Sequence, residues 1–430
     1  MFRTDPRSKR AVWSWAMFDF ANSPFTTLVI TFVYATYFVD VIVADSNRGT
    51  VLWSRAITIS AVIIALLSPV LGAVADRGGF RKRFVILFSL ICIAGTCALY
   101  FVQPGEVLEA LLFVVIANVA FEFAIVFYNA FLPDIAPPER VGRVSGIAWG
   151  LGFFGGLLSL VVALVALVFP EQPWFGFTTE GGENIRATNL LVAAWFVVFS
   201  IPMLIWVKED KSRVSPAGQV VSDSIRQLRS TFVEIRRYRQ VVRFLIARLV
   251  YNDALVTVFA FGGIYAVGTF GFSVQDALIF GIVVNLAAGI GATAAGYLDD
   301  HIGAKKTIVI SLLGLMAGST LALLAREEAL FWLAGVLIGI FSGPSQASSR
   351  SLMARFVPHE LENEFFGFFA MSGKLTTFAG PALLGLLTDF SGSQRVGFSV
   401  VLVFFVVGMV LLLNVDEREG SAMRTREPPA

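Results

Sequence analysis

The feature that most constrains this chain is a series of apolar segments, each about as long as the roughly 20 residues that cross a bilayer as a helix. About twelve can be placed, at roughly residues 12–43, 53–75, 84–102, 107–132, 144–169, 188–207, 241–268, 274–298, 307–325, 329–352, 363–388 and 396–414. The apolar residues run continuously instead of alternating, which favours helices over the strands of a barrel. Composition agrees, because 15% of the residues are charged against about 25% in soluble proteins. The sequence therefore predicts an all-α polytopic membrane protein.

The segments fall into two sets of six around one polar stretch. We expect a six-helix half over 1–207, a linker over 208–240 and a second six-helix half with a short tail over 241–430. The linker reads KEDKSRVSPAGQVVSDSIRQLRSTFVEIRRYRQ and is basic. Its pattern favours a surface connection with an amphipathic segment on the lipid headgroups; the alternative is a folded regulatory domain.

Lysine and arginine residues gather in alternate loops, which orients a membrane protein with its basic loops in the cytoplasm. The basic side carries the N-terminal residues, the loop around Arg81, the linker, the loop around Lys305 and the C-terminal tail. The opposite side holds only Arg48, Arg55, Arg186, Arg326 and Arg395. We therefore expect a multi-pass protein of the cell inner (plasma) membrane with both termini cytoplasmic.

One charged loop motif occurs twice. The stretch GAVADRGGFRK from Gly72 aligns with GYLDDHIGAKK from Gly296, at a constant offset of 224 residues. A second pair, PPERVGRVSG ending at Gly146 and VPHELENEFFG ending at Gly367, aligns at an offset of 221. Two motifs at matching places predict a duplicated unit whose copies are parallel.

The duplicated loops are predicted to act as gate elements. We expect Gly72 to allow close helix packing, Gly79 to allow a tight turn, and Asp76 to lie against a helix N-terminus in an outward-facing state. The gating residues are predicted to be Gly72, Asp76, Arg77, Gly79, Arg81, Lys82, Gly296, Asp300, Gly303, Lys305 and Lys306.

This organisation and its loop motif resemble the major facilitator superfamily. Longer blocks resemble its vacuolar-effluxer-like, autophagy-related branch: WAMFDFANSPF at 15–25, FYNAFLPDIAPPERVGRVSGIAWGLGFFGG at 127–156, ARLVYNDALVTVFAFGGIY at 247–265 and GPSQASSRSLMARFVP at 343–358. The resemblance implies a secondary transporter in a major facilitator fold. For the fungal relative it implies amino-acid export from the vacuole, and for bacterial relatives it says little about the substrate.

Polar side chains inside a bilayer are costly and usually face a cavity or a partner. Asp19 and Asn22 are three residues apart, and Arg248 and Asn252 are four apart, so each pair shares a helix face. They either line a substrate cavity or form interhelical pairs, and Arg350 either extends towards the cytoplasm or binds a carboxylate. The candidate substrate or coupling residues are Asp19, Asn22, Glu122, Asn129, Arg248, Asn252, Asp253, Gln346, Arg350 and Lys374.

The mixture of acids and bases suits a zwitterion such as an amino acid, although the same charges would suit ion pairs that break and re-form. Glu122 is a candidate for proton coupling or for a structural pair. The two histidines and two cysteines form no ligand pattern, and GGFRKR lacks the ending of a phosphate-binding loop. We therefore expect no metal, cofactor, nucleic-acid partner or enzymatic activity, and a monomer in the lipid bilayer.

The resulting hypothesis is a secondary transporter of a small polar solute that works by alternating access, with amino-acid efflux as the first substrate. One alternative is a transporter of a sugar, drug or organic ion. The other is a membrane sensor or scaffold of the same fold with no transport cycle.

Overall fold

The helices of this protein were examined in a computed structural model, which describes residues 8–209, 218–234, 236–422 and 424. Over these residues it contains eleven continuous helices long and apolar enough to cross a membrane. A helix bonds its own backbone groups, which makes it the solution available to an apolar segment in lipid. At 1.5 Å per residue, even the 21-residue members match a hydrocarbon core of about 30 Å.

The first six spanning helices are α1 to α6, at Lys9–Ile42, Ser46–Gly78, Arg81–Phe101, Val107–Ile135, Pro138–Val168 and Glu180–Trp206. A shorter helix, α7 at Val220–Val233, lies in the predicted linker. The remaining helices, α8 to α15, are Arg239–Phe270, Val274–Ile302, Ala304–Leu324, Glu328–Phe356, Glu362–Lys374, Ala379–Ser391, Gln394–Leu413 and Glu417–Ala422.

The structure corrects one predicted span. The segment at 363–388 is two helices, α12 and α13, joined by a turn at residues 375–378. Pro381 stands in the first turn of α13. Its ring has no N–H and would clash with the carbonyl four residues earlier, so an uninterrupted helix cannot pass this point without strain. The eleventh predicted membrane segment is therefore an interrupted helix.

The described residues pack into two compact units. The first contains 8–64, 80–128 and 151–209, and the second contains 65–79, 129–150 and the described residues from 218 onward. In the first unit, Trp15 stacks on Tyr128 with ring centroids 4.5 Å apart, and its Nε1–H donates to the Tyr128 carbonyl at 3.0 Å. In the second, Tyr265 stacks on Phe398 at 4.9 Å. Buried aromatic rings thus form part of both cores.

The linker helix α7 packs with its polar face inward. Ser224 and Gln227 are buried, and Ser224 Oγ donates to the Ala73 carbonyl at 3.3 Å. Val221 and Ile225 are exposed on the other side. An exposed apolar face beside arginines is typical of a helix at a lipid interface. The predicted linker residues 210–217 and 235 lie outside the described part of the chain.

Glycine lets helices of the second unit touch backbone to backbone. A Cβ added at Gly146 of α5 would lie 2.5 Å from the Ala292 carbonyl oxygen and 2.8 Å from the Gly296 Cα of α9. A Cβ on Gly296 would in turn lie 2.8 Å from the Gly142 carbonyl oxygen. No side chain fits at these distances, so the crossing of α5 and α9 requires glycine on both helices.

Gly146→Ala should therefore destabilise the protein by about 1–3 kcal/mol, the usual range for overpacking. Gly262→Ala in α8 is the matched control, because a Cβ there meets nothing within 4 Å; alanine should be neutral or stabilising by up to about 1 kcal/mol. Thermal unfolding of the detergent-purified variants, followed by intrinsic tryptophan fluorescence, measures both. Equal midpoints for the two variants would contradict the close crossing.

Candidate functional site

Asp76 and Asp300, from the duplicated loop motif, each bind the N-terminus of another helix. Asp76 Oδ1 accepts the Asn363 N–H of α12 at 3.0 Å, and its Oδ2 accepts the Glu364 N–H at 2.9 Å. A carboxylate at a helix N-terminus satisfies orphan N–H groups and opposes the helix dipole. Asp76 thus lies against a helix N-terminus, where the sequence predicts it.

Asp300 makes the equivalent contact with α5. Its Oδ1 accepts the Gly142 N–H at 2.8 Å and its Oδ2 accepts the Arg143 N–H at 3.2 Å. Asp300 follows Asp76 by 224 residues. The N–H groups that Asp76 binds, those of Asn363 and Glu364, follow the N–H groups that Asp300 binds by 221 residues. These are the two offsets of the sequence repeats. We call these two arrangements the aspartate contacts.

Glycines bring the helices of the aspartate contacts together. A Cβ on Gly72 would clash with the Asn363 carbonyl, just as one on Gly296 would clash with the Gly142 carbonyl. Gly79 and Gly303, at the turns after the aspartates, have φ of +59° and +96°, a region that favours glycine. The motif glycines therefore have the packing and turn roles predicted for Gly72 and Gly79.

Asp299 and Arg355 form a buried ion pair beside Asp300 that the sequence did not predict. Arg355 donates to Asp299 at 2.6 Å and lies 3.5 Å from Asp300. Ser351 Oγ donates to Asp299 at 3.3 Å. The first repeat has Ala75 where the second has Asp299, so an acid without a repeat partner was the available sequence signal.

The basic residues of the duplicated motif differ from one another in their contacts and exposure. Lys82 Nζ donates to the Val207 carbonyl at 2.6 Å, and Lys305 Nζ donates to the Leu413 and Val415 carbonyls at 2.9 and 2.6 Å. Arg77 and Lys306 are exposed, whereas Arg81 is buried. Lys82 and Lys305 therefore bind the C-terminal ends of helices, where cations are favoured.

A cluster of charged groups surrounds His359. Its Nδ1 lies 3.2 Å from Glu362 Oε1 and 3.8 Å from Asp134 Oδ1. The hydrogen bond that His359 donates to the Glu362 carboxylate raises the pKa of His359, and the charges of Glu362 and Asp134 act in the same direction. The three side chains are close enough together to hold a metal ion. Arg424 already lies 3.7 Å from Glu362, so positive charge is supplied there by the protein itself.

Several predicted substrate residues meet among α8, α11 and α12 of the second unit. Gln346 Nε2 donates to Asn252 Oδ1 at 2.8 Å, and Asn252 Nδ2 donates to the Gly373 carbonyl at 3.2 Å. Arg248 lies over the Phe369 ring at 3.7 Å and donates to Ser372 Oγ at 2.9 Å. We call Arg248, Asn252, Asp253 and Gln346 the polar cluster.

Asp253 of α8 contacts the first turn of α13, just after the break between α12 and α13. It is 2% exposed, and its Oδ2 accepts the Gly380 N–H of the first turn of α13 at 3.2 Å. Its Oδ1 is buried without a hydrogen-bond partner among the described residues. A carboxylate oxygen without a partner inside a membrane protein is a place where a proton or an ammonium group can bind.

Arg350 and Asn129 lie together away from the polar cluster's hydrogen bonds. Arg350 is 2% exposed, and it donates to Ser145 Oγ at 2.9 Å, the Ser145 carbonyl at 2.8 Å and Asn129 Oδ1 at 3.2 Å. Its guanidinium is 5.6 Å from the Trp149 ring centroid. Ser145 and Trp149 were missed, because a serine and a tryptophan in a helix carry no distinctive sequence signal.

The remaining candidates are dispersed. Asp19 and Asn22 are buried in the first unit, where Asn22 Nδ2 donates to the Phe18 carbonyl at 2.7 Å. Glu122 is half-buried in the same unit, and Lys374 is half-buried at the end of α12 in the second. The structure therefore brings together the second-half candidates on α8 and α11, with Gly373 of α12 beside them.

Residues 46–424 match the family described as "Vacuole effluxer Atg22 like". The chain belongs to this family. The Atg22-like permease is 28% identical to the "Uncharacterized MFS-type transporter YxiO" of Bacillus subtilis (strain 168), with 95% of each chain covered. It is 23% identical to "Autophagy-related protein 22-1" of Penicillium rubens, covering 90% of this chain and 78% of that one.

Solved structures confirm the predicted major facilitator fold of the Atg22-like permease. The proton:xylose symporter XylE bound to 6-bromo-6-deoxy-D-glucose matches with a TM-score of 0.73 at 14% identity, covering 94% of both chains. The fucose:proton symporter FucP of E. coli matches with a TM-score of 0.72 at 15% identity, covering 96% of this chain and all of the other. At these identities the likeness establishes the fold alone.

The stability of the Atg22-like permease should depend on pH through His359. Its folded pKa is raised, so its contribution is fully present below the unfolded pKa of about 6.5 and is lost as pH rises through the folded pKa. The difference in unfolding midpoint between wild type and His359→Gln should be largest near pH 6 and shrink towards pH 9, roughly the range that brackets both pKa values. A pH-independent difference for His359→Gln would contradict the assignment.

Proposed function

We propose that this Atg22-like permease is a secondary transporter that moves a small polar solute across a plasma membrane by alternating access. The observation that carries the proposal is the pair of aspartate contacts. Each joins residues of the first sequence half to residues of the second, through a few hydrogen bonds to a helix N-terminus. Such contacts can break and re-form as a unit, which a gate requires and a static scaffold does not.

The membrane arrangement belongs to the same proposal. Basic loops on the side of the aspartate contacts favour a cytoplasmic location for that side and for both termini. The sequence halves 1–207 and 241–430 are then the moving parts, and the linker over 208–240 connects them on the cytoplasmic face. With the aspartate contacts closed, solute would have access from the opposite side.

Amino acids are the first substrate class that we propose. Asp253 has an oxygen without a partner and suits an ammonium group or a proton, and Arg248 suits a carboxylate. Asn252 and Gln346 add neutral donors and acceptors beside these charges. Arg248 is the candidate for the solute carboxylate because it lies one helical turn from Asn252, on the same face of α8. Like Arg350, it already donates to protein oxygens, those of Phe369 and Ser372.

Counterflow in proteoliposomes tests the transport function and its substrate. Liposomes preloaded with unlabelled amino acids should accumulate labelled amino acid above the level of protein-free liposomes. Exchange of another solute class, with no exchange of amino acids, would refute the proposed substrate but not the proposed transport function. No exchange across amino acids, sugars and organic ions would overturn the transporter itself.

Asp76→Asn should slow counterflow without abolishing substrate binding. The substitution removes the charge that strengthens two backbone hydrogen bonds, each worth about 1.5–3 kcal/mol when the acceptor is charged, so the closed state loses stability and the initial rate should fall by roughly tenfold. Asp300→Asn should have the same effect because its contact is equivalent. Binding is measured by the thermal shift with substrate. Asp389→Asn on the exposed face of α13 is the control, and loss of binding in Asp76→Asn would refute a gating role.

Asp253→Asn should separate coupling from exchange. Asparagine keeps the shape and can still accept the Gly380 N–H, but it cannot gain or lose a proton. Uptake driven by an imposed pH gradient should fall to background. Counterflow, which needs no net proton movement, should persist if Asp253 binds the proton, and its loss would assign Asp253 to the ammonium group of the substrate. Uptake driven equally well in both proteins would remove Asp253 from the coupling step.

A further inference from the structure

A basic cavity opens on the second unit where α8 and α10 begin and α14 ends, next to helix α15. Its volume is about 1250 Å³. Its lining includes five basic residues, which come from three different helices. They are Arg239, Arg243, Lys305, Lys306 and Arg418. Convergence of this many cations on one cavity favours an anionic ligand.

The three acids of the cavity are already bound to the protein. Glu417 accepts the Ala304 and Lys305 N–H groups at 2.9 and 3.2 Å. Asp416 Oδ1 accepts the Arg418 and Glu419 N–H groups at 2.9 and 3.0 Å. Their carboxylates hold α10 and α15 in place, and the three acids offset three of the five positive charges of the lining, so that a net positive charge remains.

Glu419 completes this set. It pairs with Arg239 at 2.7 Å and accepts a hydrogen bond from the buried Gln240 at 2.6 Å. Arg239 thus forms an ion pair with Glu419, and Lys305 donates to the Leu413 and Val415 carbonyls, as described above. Arg243, Lys306 and Arg418 face the cavity with exposed side chains. Arg243 also donates a hydrogen bond to the Asn414 carbonyl at 3.4 Å.

The rim of the cavity is apolar on the side of the spanning helices. Ile310 of α10 and Leu413 of α14 line it and are 41% and 53% exposed. Both residues belong to helices that cross the membrane. A ligand with a charged head and an apolar body matches this combination better than a free anion, which would leave Ile310 and Leu413 in contact with water.

We propose that the cavity binds the phosphate headgroup of an anionic phospholipid, with Arg243, Lys306 and Arg418 as the phosphate ligands. The acyl chains lie along Ile310 and Leu413. The site adjoins one aspartate contact, because Glu417 is 3.7 Å from Arg355, which pairs with Asp299 and Asp300. A bound lipid would hold α15 against α10 and so stabilise the closed arrangement around Asp300.

Binding is tested on the purified full-length protein in detergent, by thermal unfolding with added short-chain phosphatidylglycerol. Phosphatidylcholine of the same chain length and glycerol 3-phosphate are the comparison ligands. Phosphatidylglycerol should raise the unfolding midpoint more than either, and the shift should shrink as salt is added. Equal shifts with phosphatidylcholine would overturn the charge recognition, and an equal shift with glycerol 3-phosphate would overturn the lipid in favour of a soluble phosphate.

The variant Arg243→Gln, Lys306→Gln, Arg418→Gln should bind phosphatidylglycerol at least about tenfold more weakly, since each base near a lipid surface contributes several-fold. Arg48→Gln, Arg55→Gln, Arg326→Gln, which removes three exposed arginines predicted on the opposite side of the membrane, is the matched control and should bind as wild type does. The lipid-free unfolding midpoint shows whether each variant is folded. An unchanged affinity in the triple variant, or an equal loss in the control, would refute the site. Neither result depends on whether the protein transports a solute.

Discussion

The binding of a carboxylate to the N-terminus of a helix is the interaction on which the rest of the second unit depends. Asp76 and Asp300 each accept two backbone N–H groups that have no partner within their own helix. The contact needs no long side chain and tolerates no extra atom, which is why Gly72 and Gly296 stand four residues before the aspartates. Because the interaction is charged yet consists of only a few hydrogen bonds, it is strong enough to hold a state and weak enough to be released. The neighbouring pair of Asp299 with Arg355 adds charge to one copy alone, so the two aspartate contacts are related but not identical.

Polar groups inside the spanning helices differ in how many of their polar atoms already form hydrogen bonds within the protein. Arg350 is held by Ser145 and Asn129, and it acts as a packing element between α11 and the start of α5. Asp253 shares only one of its oxygens, with the N–H of Gly380. The Asp253 carboxylate thus lies at a helix N-terminus, like Asp76 and Asp300, but at a break within a membrane segment. The difference in binding capacity, more than the charge itself, distinguishes a candidate solute or proton site from a structural pair.

Two features of the second unit are typical of a surface that contacts lipid. The linker helix α7 buries serine and glutamine and exposes valine and isoleucine, and the cavity beside α15 combines exposed bases with an apolar rim. Both features place charge next to apolar surface, the pattern of a boundary between headgroups and acyl chains. Both also lie near the aspartate contacts: Ser224 of α7 binds the Ala73 carbonyl on α2, and Glu417 of α15 lies beside Arg355, which pairs with Asp300. The lipid boundary and the aspartate contacts are therefore connected through direct contacts.

The amino-acid sequence by itself determined the number and approximate place of the membrane segments, because the length of an apolar run and the need to bond the backbone leave a helix as the outcome. It also determined the duplication, whose offsets of 224 and 221 reappear as the spacing of the two aspartate contacts, and the packing role of Gly72. Only the tertiary structure decided which polar residues meet. Ser145, Trp149 and Arg355 gained partners on other helices, and such pairs depend on the rotation and depth of each helix, which periodicity does not encode. The break at residues 375–378 was also decided there: Pro381 permits it, but Asp253, more than a hundred residues earlier, supplies the acceptor that satisfies the new helix end.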